Sequence, residues 1–294
     1  MRFTLRQLEV FLAVARSESV SRAAVELGMS QSAVSGALAD LERQFDVQLF
    51  DRIGKRLQLS PLGHSLRPRC DALHEQALEL EQALAGESDI GVLRVGATLT
   101  IGNYVTVPLM ARFMREHPGA RLALEVANTA EIARKVINFE IDVGLIEGEL
   151  HAPDLDVVPW RDDELVVFCA PTHPFARRRG LDDDALRGAD WILREPGSGT
   201  RQTFEHAMRG ILPELRIVLE LQHTEAIKSA VAAGLGVGCI SRLALEREIE
   251  DGSLVPCRVP SRDLRRQFCF VLHERKHRSA AIAAWLELCA AMPG

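Results

Sequence analysis

The chain has no Cys-x-x-Cys pair, no run of about 18 apolar residues, and few aromatics, with one Tyr and three Trp among its 294 residues. Its six cysteines, Cys70, Cys169, Cys239, Cys257, Cys269 and Cys289, are scattered and mostly sit in apolar runs. They read as small core residues of a reducing compartment. The missing apolar run excludes a membrane-spanning helix. No basic stretch leads into an apolar core near the N-terminus, so a secretion signal is not expected and the cytoplasm is the expected place. Repeats and low-complexity segments are absent as well. A hydrophobic content of 47% against 26% charged excludes a disordered chain. At roughly 100 to 200 residues per domain, two or three domains are expected.

A formal charge of −6 would argue against nucleic acid if it were spread evenly. It is not. Residues 1–69 hold ten Lys/Arg against seven Asp/Glu, a net of +3, and the remainder holds 25 against 34. The basic end is the N-terminal end.

What is present there is a run of short amphipathic helices. Leu5, Leu8, Leu12 and Ala15, widened by Phe11, predict a helix over 4–16. Val20, Ala23, Ala24 and Leu27 predict a second, stopped by Gly28. Ser30 caps a third through Ala33, Val34, Ala37, Leu38 and Leu41. Two short alternating runs around Gly54-Lys55 then predict a hairpin, the wing. Ser60-Pro61 opens a long helix. Its apolar positions Leu66, Cys70, Leu73, Ala77, Leu80 and Leu84 step by four and three, the spacing of a seam between two helices, and predict a dimer. Pro68 within it predicts a kink. Gly86 and Gly91 close that helix.

From Val92 the pattern becomes strands alternating with helices, the grammar of an α/β domain. Strands are expected near 92–95, 122–126, 143–146, 164–170, 191–194, 218–221, 237–240 and 267–272. Helices are expected near 104–116, 130–138, 201–210, 225–233, 243–251 and 280–291.

Small Ala23 and Ala24 suit two helices that cross closely, and Gly28 a tight turn. Gln31, Ser32 and Ser35 stand at the start of the third helix, where a recognition helix meets base edges. Ser21, Arg22 and Ser30 flank them. Arg52, Lys55 and Arg56 on the wing suit phosphate or minor-groove contact. Such residues alone occur in many small bundles; the wing, the basic end and the seam favour DNA. The strings Leu5-x-x-Leu8 with Phe11, Ser21-Arg-Ala-Ala24, Ser30-Gln-Ser-Ala-Val-Ser35, Leu41-Glu42, Leu49-Phe-Asp-Arg52 and Leu59-Ser-Pro-Leu-Gly63 closely resemble the LysR-type transcriptional regulators. Ser32 stands where many members have proline, and Gly36 where many have a larger or basic residue, so no base preference carries over.

The resemblance implies a winged helix-turn-helix over 1–62, a linker and dimerisation helix over 63–90, and over 91–294 a two-lobed α/β effector domain of the type II periplasmic-binding-protein kind. Lobe one would comprise 92–161 and 267–294, and lobe two 162–266, with ligand between them. It implies promoter DNA, a second copy as dimer or tetramer, and a small-molecule effector as partners, with RNA polymerase a further candidate.

Two stretches suit a small anion independently of the family. Ala97-Thr-Leu-Thr-Ile-Gly-Asn103 and Glu195-Pro-Gly-Ser-Gly-Thr-Arg201 each follow a strand and open a helix, where free N–H groups and hydroxyls favour negative charge. Thr98, Leu99, Thr100, Gly102 and Asn103 on one side, and Ser198, Gly199 and Thr200 on the other, are the expected lining. Plain helix caps are the equal alternative for the hydroxyls. Glu147 and Thr224 are weaker candidates. A carboxylate facing an anion is unfavourable unless one of them is protonated or a cation intervenes, so Glu147 would report ligand protonation or gate the cleft. The Thr98 to Tyr104 segment with Ile146-Glu-Gly148 looks most like the LysR-type branch responding to sulfur compounds, which implies sulfite or sulfate.

Enzyme patterns are weak. His273-Glu274-Arg-Lys-His277 matches a zinc-protease spacing, but that chemistry needs one helical face and the segment reads as a strand end. Gly234-Leu-Gly-Val-Gly238 runs from helix into strand, the reverse of a dinucleotide loop. Ser198 has no identifiable base. No catalytic or metal residue and no cofactor is expected; the rival reading is a solute-binding protein whose N-terminal helices serve assembly.

Overall fold

The computed structural model describes residues 2–53, 56–84 and 91–292. Local caps open the first helices. Thr4 Oγ1 accepts from the Gln7 amide while Gln7 Oε1 accepts from the Thr4 amide, starting α1 (Leu5–Ser17). Ser19 and Ser30 accept from the amides of Arg22 and Ala33 and start α2 (Val20–Glu26) and α3 (Gln31–Phe45). Gly28 takes φ +61° in the turn between α2 and α3, a conformation costly for any residue with a Cβ. Phe11, Leu12, Ala23, Ala24, Val34 and Leu38 bury their side chains in one core.

The wing follows as β1 (Phe50–Ile53) and β2 (Arg56–Leu59), antiparallel with Phe50 opposite Leu59. Glu42 Oε1 fixes its base by accepting from the amides of Leu49 and Phe50. Gly54 and Lys55, the expected tip, lie outside the described residues, as does Gly86. Ser60 Oγ accepts from the Gly63 amide at 3.1 Å and starts α4 (Pro61–Leu84), which continues through Pro68.

The remainder is one nine-stranded sheet pinched into two lobes. In chain order come β3 (Val92–Thr98), α5 (Leu99–Ile101), a π turn (Gly102–Thr106), α6 (Val107–Glu116), β4 (Arg121–Ala127), α7 (Thr129–Ile137) and β5 (Val143–Glu147). Then β6 (Leu155–Cys169), α8 (Asp183–Arg187), β7 (Asp190–Arg194), α9 (Gly199–Ala207), β8 (Arg216–Leu221), α10 (Thr224–Ala232), β9 (Val237–Ser241), α11 (Glu246–Glu250) and β10 (Val255–Cys257) lead to β11 (Arg265–His273) and α12 (Ala280–Ala290). The order is β4-β3-β5-β11-β6-β9-β7-β8, with β10 on β6. The parallel strands β3, β4 and β5 carry lobe one, and β7, β8 and β9 carry lobe two. The long strands β6 and β11, antiparallel to each other, join the lobes. Separate buried clusters fill them, around Phe113, Phe270 and Trp285 in lobe one and around Trp191 and Phe204 in lobe two.

Three sequence expectations change here. The strand expected at 164–170 begins at Leu155, because β11, a hundred residues later, supplies its ladder. The helix expected at 104–116 begins as α5 and passes through the π turn, whose wider winding rotates the following face. The seam on α4 is not uniform: Leu66 and Cys70 pack into the head's own core, whereas Leu73, Leu80 and Leu84 are exposed. Among the described residues, no helix is long and apolar enough to cross a membrane.

Candidate DNA interface and effector cleft

The start of α3 faces solvent. Gln31, Ser32 and Ser35 are exposed along one side of its first turns, while Val34 and Leu38 hold the opposite side in the core. Ser30 is occupied as the cap, and its Oγ also meets Ser32 Oγ at 3.0 Å. Ser21 and Arg22 are exposed on α2, and Arg22 reaches back to the Ser17 carbonyl. Arg52 is exposed on β1, and Arg56 lies on the strand paired with it, β2. Lys55 lies outside the described residues.

Between the lobes, the chain's own Glu147 collects the hydroxyls expected for an anion. It ends β5 with 1% exposure, and its carboxylate accepts from Thr98, from Thr100 at 3.3 Å and from Thr200 at 3.4 Å. Thr98 therefore makes no cap bond, whereas Ser198 is a plain N-cap that accepts from the Arg201 amide. The two helix openings also differ: α9 is a nine-residue helix, but α5 is a three-residue turn whose dipole is slight. Leu99 and Gly102 are buried beside this group, Gly102 against Val126. Asn103 is exposed, turned outward by the π turn, and Thr224 is buried at the start of α10 without joining the bonds to Glu147.

The cation absent from the sequence reading is Arg266. Its side chain is 2% exposed, its Nε donates to Asp163 at 2.6 Å, and its Nη1 donates to Thr200 Oγ1 at 3.0 Å and lies 3.9 Å from Glu147. Nη2 is buried and makes no hydrogen bond. Ser241 donates to the other Asp163 oxygen at 2.8 Å, which leaves that carboxylate fully engaged. A signal for Arg266 did exist: on β11 it shares the inward face of Phe268, Phe270 and Leu272, and a charge on such a face needs a buried partner.

The lobes touch closely. A Cβ on Gly199 would overlap the Glu147 carbonyl oxygen, so only glycine permits that approach. Thr129 Oγ1 bridges the gap, donating to that carbonyl and accepting from the Gly199 amide, both at 3.1 Å. At one margin Asn128 donates to Glu195 at 3.2 Å, and at the other Tyr104 donates to Glu225 at 2.7 Å. Burial, and then the Glu225 bond, push the Tyr104 hydroxyl up to about 12, so it remains a donor at neutral pH.

His273 ends β11 and His277 lies beyond the turn that follows, so the two do not share a helical face as zinc catalysis would require.

Comparison with known proteins agrees with this architecture. Residues 5–64 match the bacterial regulatory helix-turn-helix of the lysR family, and residues 86–293 match the LysR substrate binding domain. The uncharacterized HTH-type transcriptional regulator YeiE of Escherichia coli is 44% identical over 289 residues, covering 98% of each chain. A full-length OxyR variant from Pseudomonas aeruginosa superposes with a TM-score of 0.77 at 23% identity, covering 99% of this chain and 96% of that one. The regulatory domain of Synechocystis CcmR in complex with 2-PG gives 0.64 at 28% identity, covering 68% of this chain and 96% of that one. Its relatives are regulators of transcription rather than enzymes or free solute binders, and the chain belongs to the LysR family of helix-turn-helix DNA-binding transcriptional regulators.

Proposed function

We propose that this regulator acts in the cytoplasm as a sensor of a small sulfur oxyanion, sulfite or sulfate, held between its lobes. The division proposed is a head over 1–62, a linker over 63–90 and an effector domain over 91–294. Gln31, Ser32 and Ser35 read base edges, and Arg22, Arg52, Lys55 and Arg56 hold phosphates.

The observation that carries the effector reading is the buried Nη2 of Arg266, a charged donor without an acceptor on a guanidinium whose Nη1 already donates to Thr200. Buried donors of that kind are rare, and an oxyanion would supply the acceptor. Arg266 also supplies the cation that a carboxylate and an anion need in order to coexist. CcmR, of the same fold, is seen with 2-PG, so the fold alone does not choose the effector.

A thermal-shift panel of sulfite, sulfate and small carboxylates tests the reading. A ligand at a hundredfold its Kd should stabilise the protein by about 2.7 kcal/mol. Sulfite or sulfate should raise Tm, and Thr100→Ala and Thr200→Ala should abolish the rise. A panel in which no sulfur oxyanion stabilises the wild type would rule the class out.

A further inference from the structure

The linker helix α4 has a second face. Arg67, Asp71, Glu75 and Glu79 recur every four residues, so they form one stripe along the helix, distinct from the exposed apolar one. Each meets lobe one of its own chain. Arg67 donates to the Asn138 carbonyl and lies 5.6 Å from the Phe139 ring centre. Glu79 accepts from the Ala280 amide at 3.3 Å and lies 3.2 Å from His277 Nε2. Between them, Lys276, with 1% of its side chain exposed, donates to Asp71 at 2.8 Å and to Glu75, and sits 3.1 Å from Asp142.

This cluster is poorly suited to simple glue. One ammonium is shared among three carboxylates, of which Asp142 alone has further partners, the Arg94 amide at 2.8 Å and Arg94 Nε at 3.5 Å, and Glu75 Oε2 is buried without a hydrogen bond. Apolar side chains would hold a permanent joint at least as well, since desolvating charges costs much of what their attraction returns. A joint of incompletely satisfied charges is instead easy to bias. Its position supplies the bias. Asp142 immediately precedes β5, and Glu147 ends it; Arg266 stands near the start of β11, and Lys276 lies just past its end. These two strands are paired in register, Phe268 opposite Glu147 and Val271 opposite Gly144. One stiff strand pair therefore has the cleft charges at one end and the joint charges at the other.

We propose that Lys276 latches the linker helix to lobe one, and that the β5–β11 pair links this latch to the cleft, so that cleft occupancy changes how firmly the helix is held. The first clause is independent of the effector; the second rests on the effector reading above.

Hydrogen exchange on the full-length protein tests both. Without ligand, Lys276→Met and Asp71→Asn should each speed exchange of the amides of residues 69–80 at least tenfold, while those around Leu145 and Val271 keep their protection. The double substitution should add little to either single one. Unchanged exchange over 69–80, or fully additive effects, overturns the latch. If Lys276→Met does not fold, Asp71→Asn, on the linker side, decides alone. In the second arm sulfite should alter exchange over 69–80 in the wild type but not in Asp71→Asn, although it raises Tm in both. A rise in Tm with no change over 69–80 overturns the link to the cleft. No rise in Tm at all removes sulfite as effector and leaves the latch to the ligand-free arm.

Discussion

The DNA-reading head and the effector cleft both place small hydroxyls near the starts of helices, in opposite surroundings. Ser32 and Ser35 on α3 face water, which satisfies them. Thr98, Thr100 and Thr200 are buried, and a buried hydroxyl must find a partner inside the protein. They find Glu147, and Glu147 in turn requires Arg266. A reading surface can thus be built from residues that contribute almost nothing to stability. A cleft of the same chemistry is itself a structural element, because its charges hold one another.

Removing the cation should therefore give the largest effect. Arg266→Leu leaves Asp163 and Glu147 buried together without a positive charge, and breaking a buried ion cluster from one side costs about 3 to 5 kcal/mol. Urea denaturation of the full-length protein measures it, and a loss below about 1 kcal/mol would mean that the cleft is not organised by its charges. Gly199→Ala comes next. Its methyl group would overlap the Glu147 carbonyl, an overpacking worth about 1 to 3 kcal/mol that must be relieved by parting the lobes. Small-angle scattering should show a wider effector domain, with DNA affinity retained by the head. An unchanged profile would show that the cleft absorbs the methyl without opening.

The contrast between the two regions also explains what could be read from the amino acids. In the head each element announces itself locally: Ser30 caps α3, Gly28 makes the turn and Ser60-Pro61 opens α4, all within a few residues of the structure they cause. The cleft is assembled from segments far apart in the chain. Arg266 is set between Arg265 and Gln267 and looks like part of a solvated turn; its partner Asp163 lies 103 residues earlier. The same distance hides the first half of β6, where Pro159 and the charged run after Trp160 interrupt the alternation and only pairing with β11 restores a strand. Asn103, expected among the lining residues, is exposed in the π turn, which nothing local in the sequence announces. Thr98, Thr100 and Thr200 were legible as residue types, but that they would be held by the chain's own carboxylate was not.

The joint between head and cleft should behave as the cleft does, and pH sharpens the point. Burial raises Glu75 from its ordinary 4.5 to about 6, more than Lys276 lowers it, since that one ammonium is shared with Asp71 and Asp142. A carboxyl raised on folding contributes stability that is present in full below about pH 4.5 and lost as pH rises through about 6. The difference amounts to about 2 kcal/mol at most. Relative to Glu75→Gln, which cannot ionise, the wild type should lose stability between pH 5 and 7; parallel Tm curves across that range would contradict the burial of this group.

The smallest effect on stability belongs to the head. Ser32→Ala, Ser35→Ala and Gln31→Ala change side chains that water already satisfies, so each should alter stability by less than about 0.5 kcal/mol. Their cost should appear only on DNA, and only on some sequences. A side chain that pairs with a base edge distinguishes the right base by about 1 to 3 kcal/mol, whereas one that holds a phosphate weakens all duplexes alike. Binding titrations against the protein's own upstream DNA and a scrambled duplex, at several salt concentrations, separate the two. Gln31→Ala should narrow the gap between the duplexes with the salt dependence unchanged, and Arg52→Ala should weaken both and flatten the salt dependence. If Gln31→Ala instead lowered affinity equally for both duplexes, α3 would be a phosphate-holding helix, and the wing would have to carry the sequence reading. If it unfolded the head, the exposed start of α3 would resemble the cleft after all, and the contrast between a reading surface and a self-supporting site would fail at the residue where it is drawn most sharply.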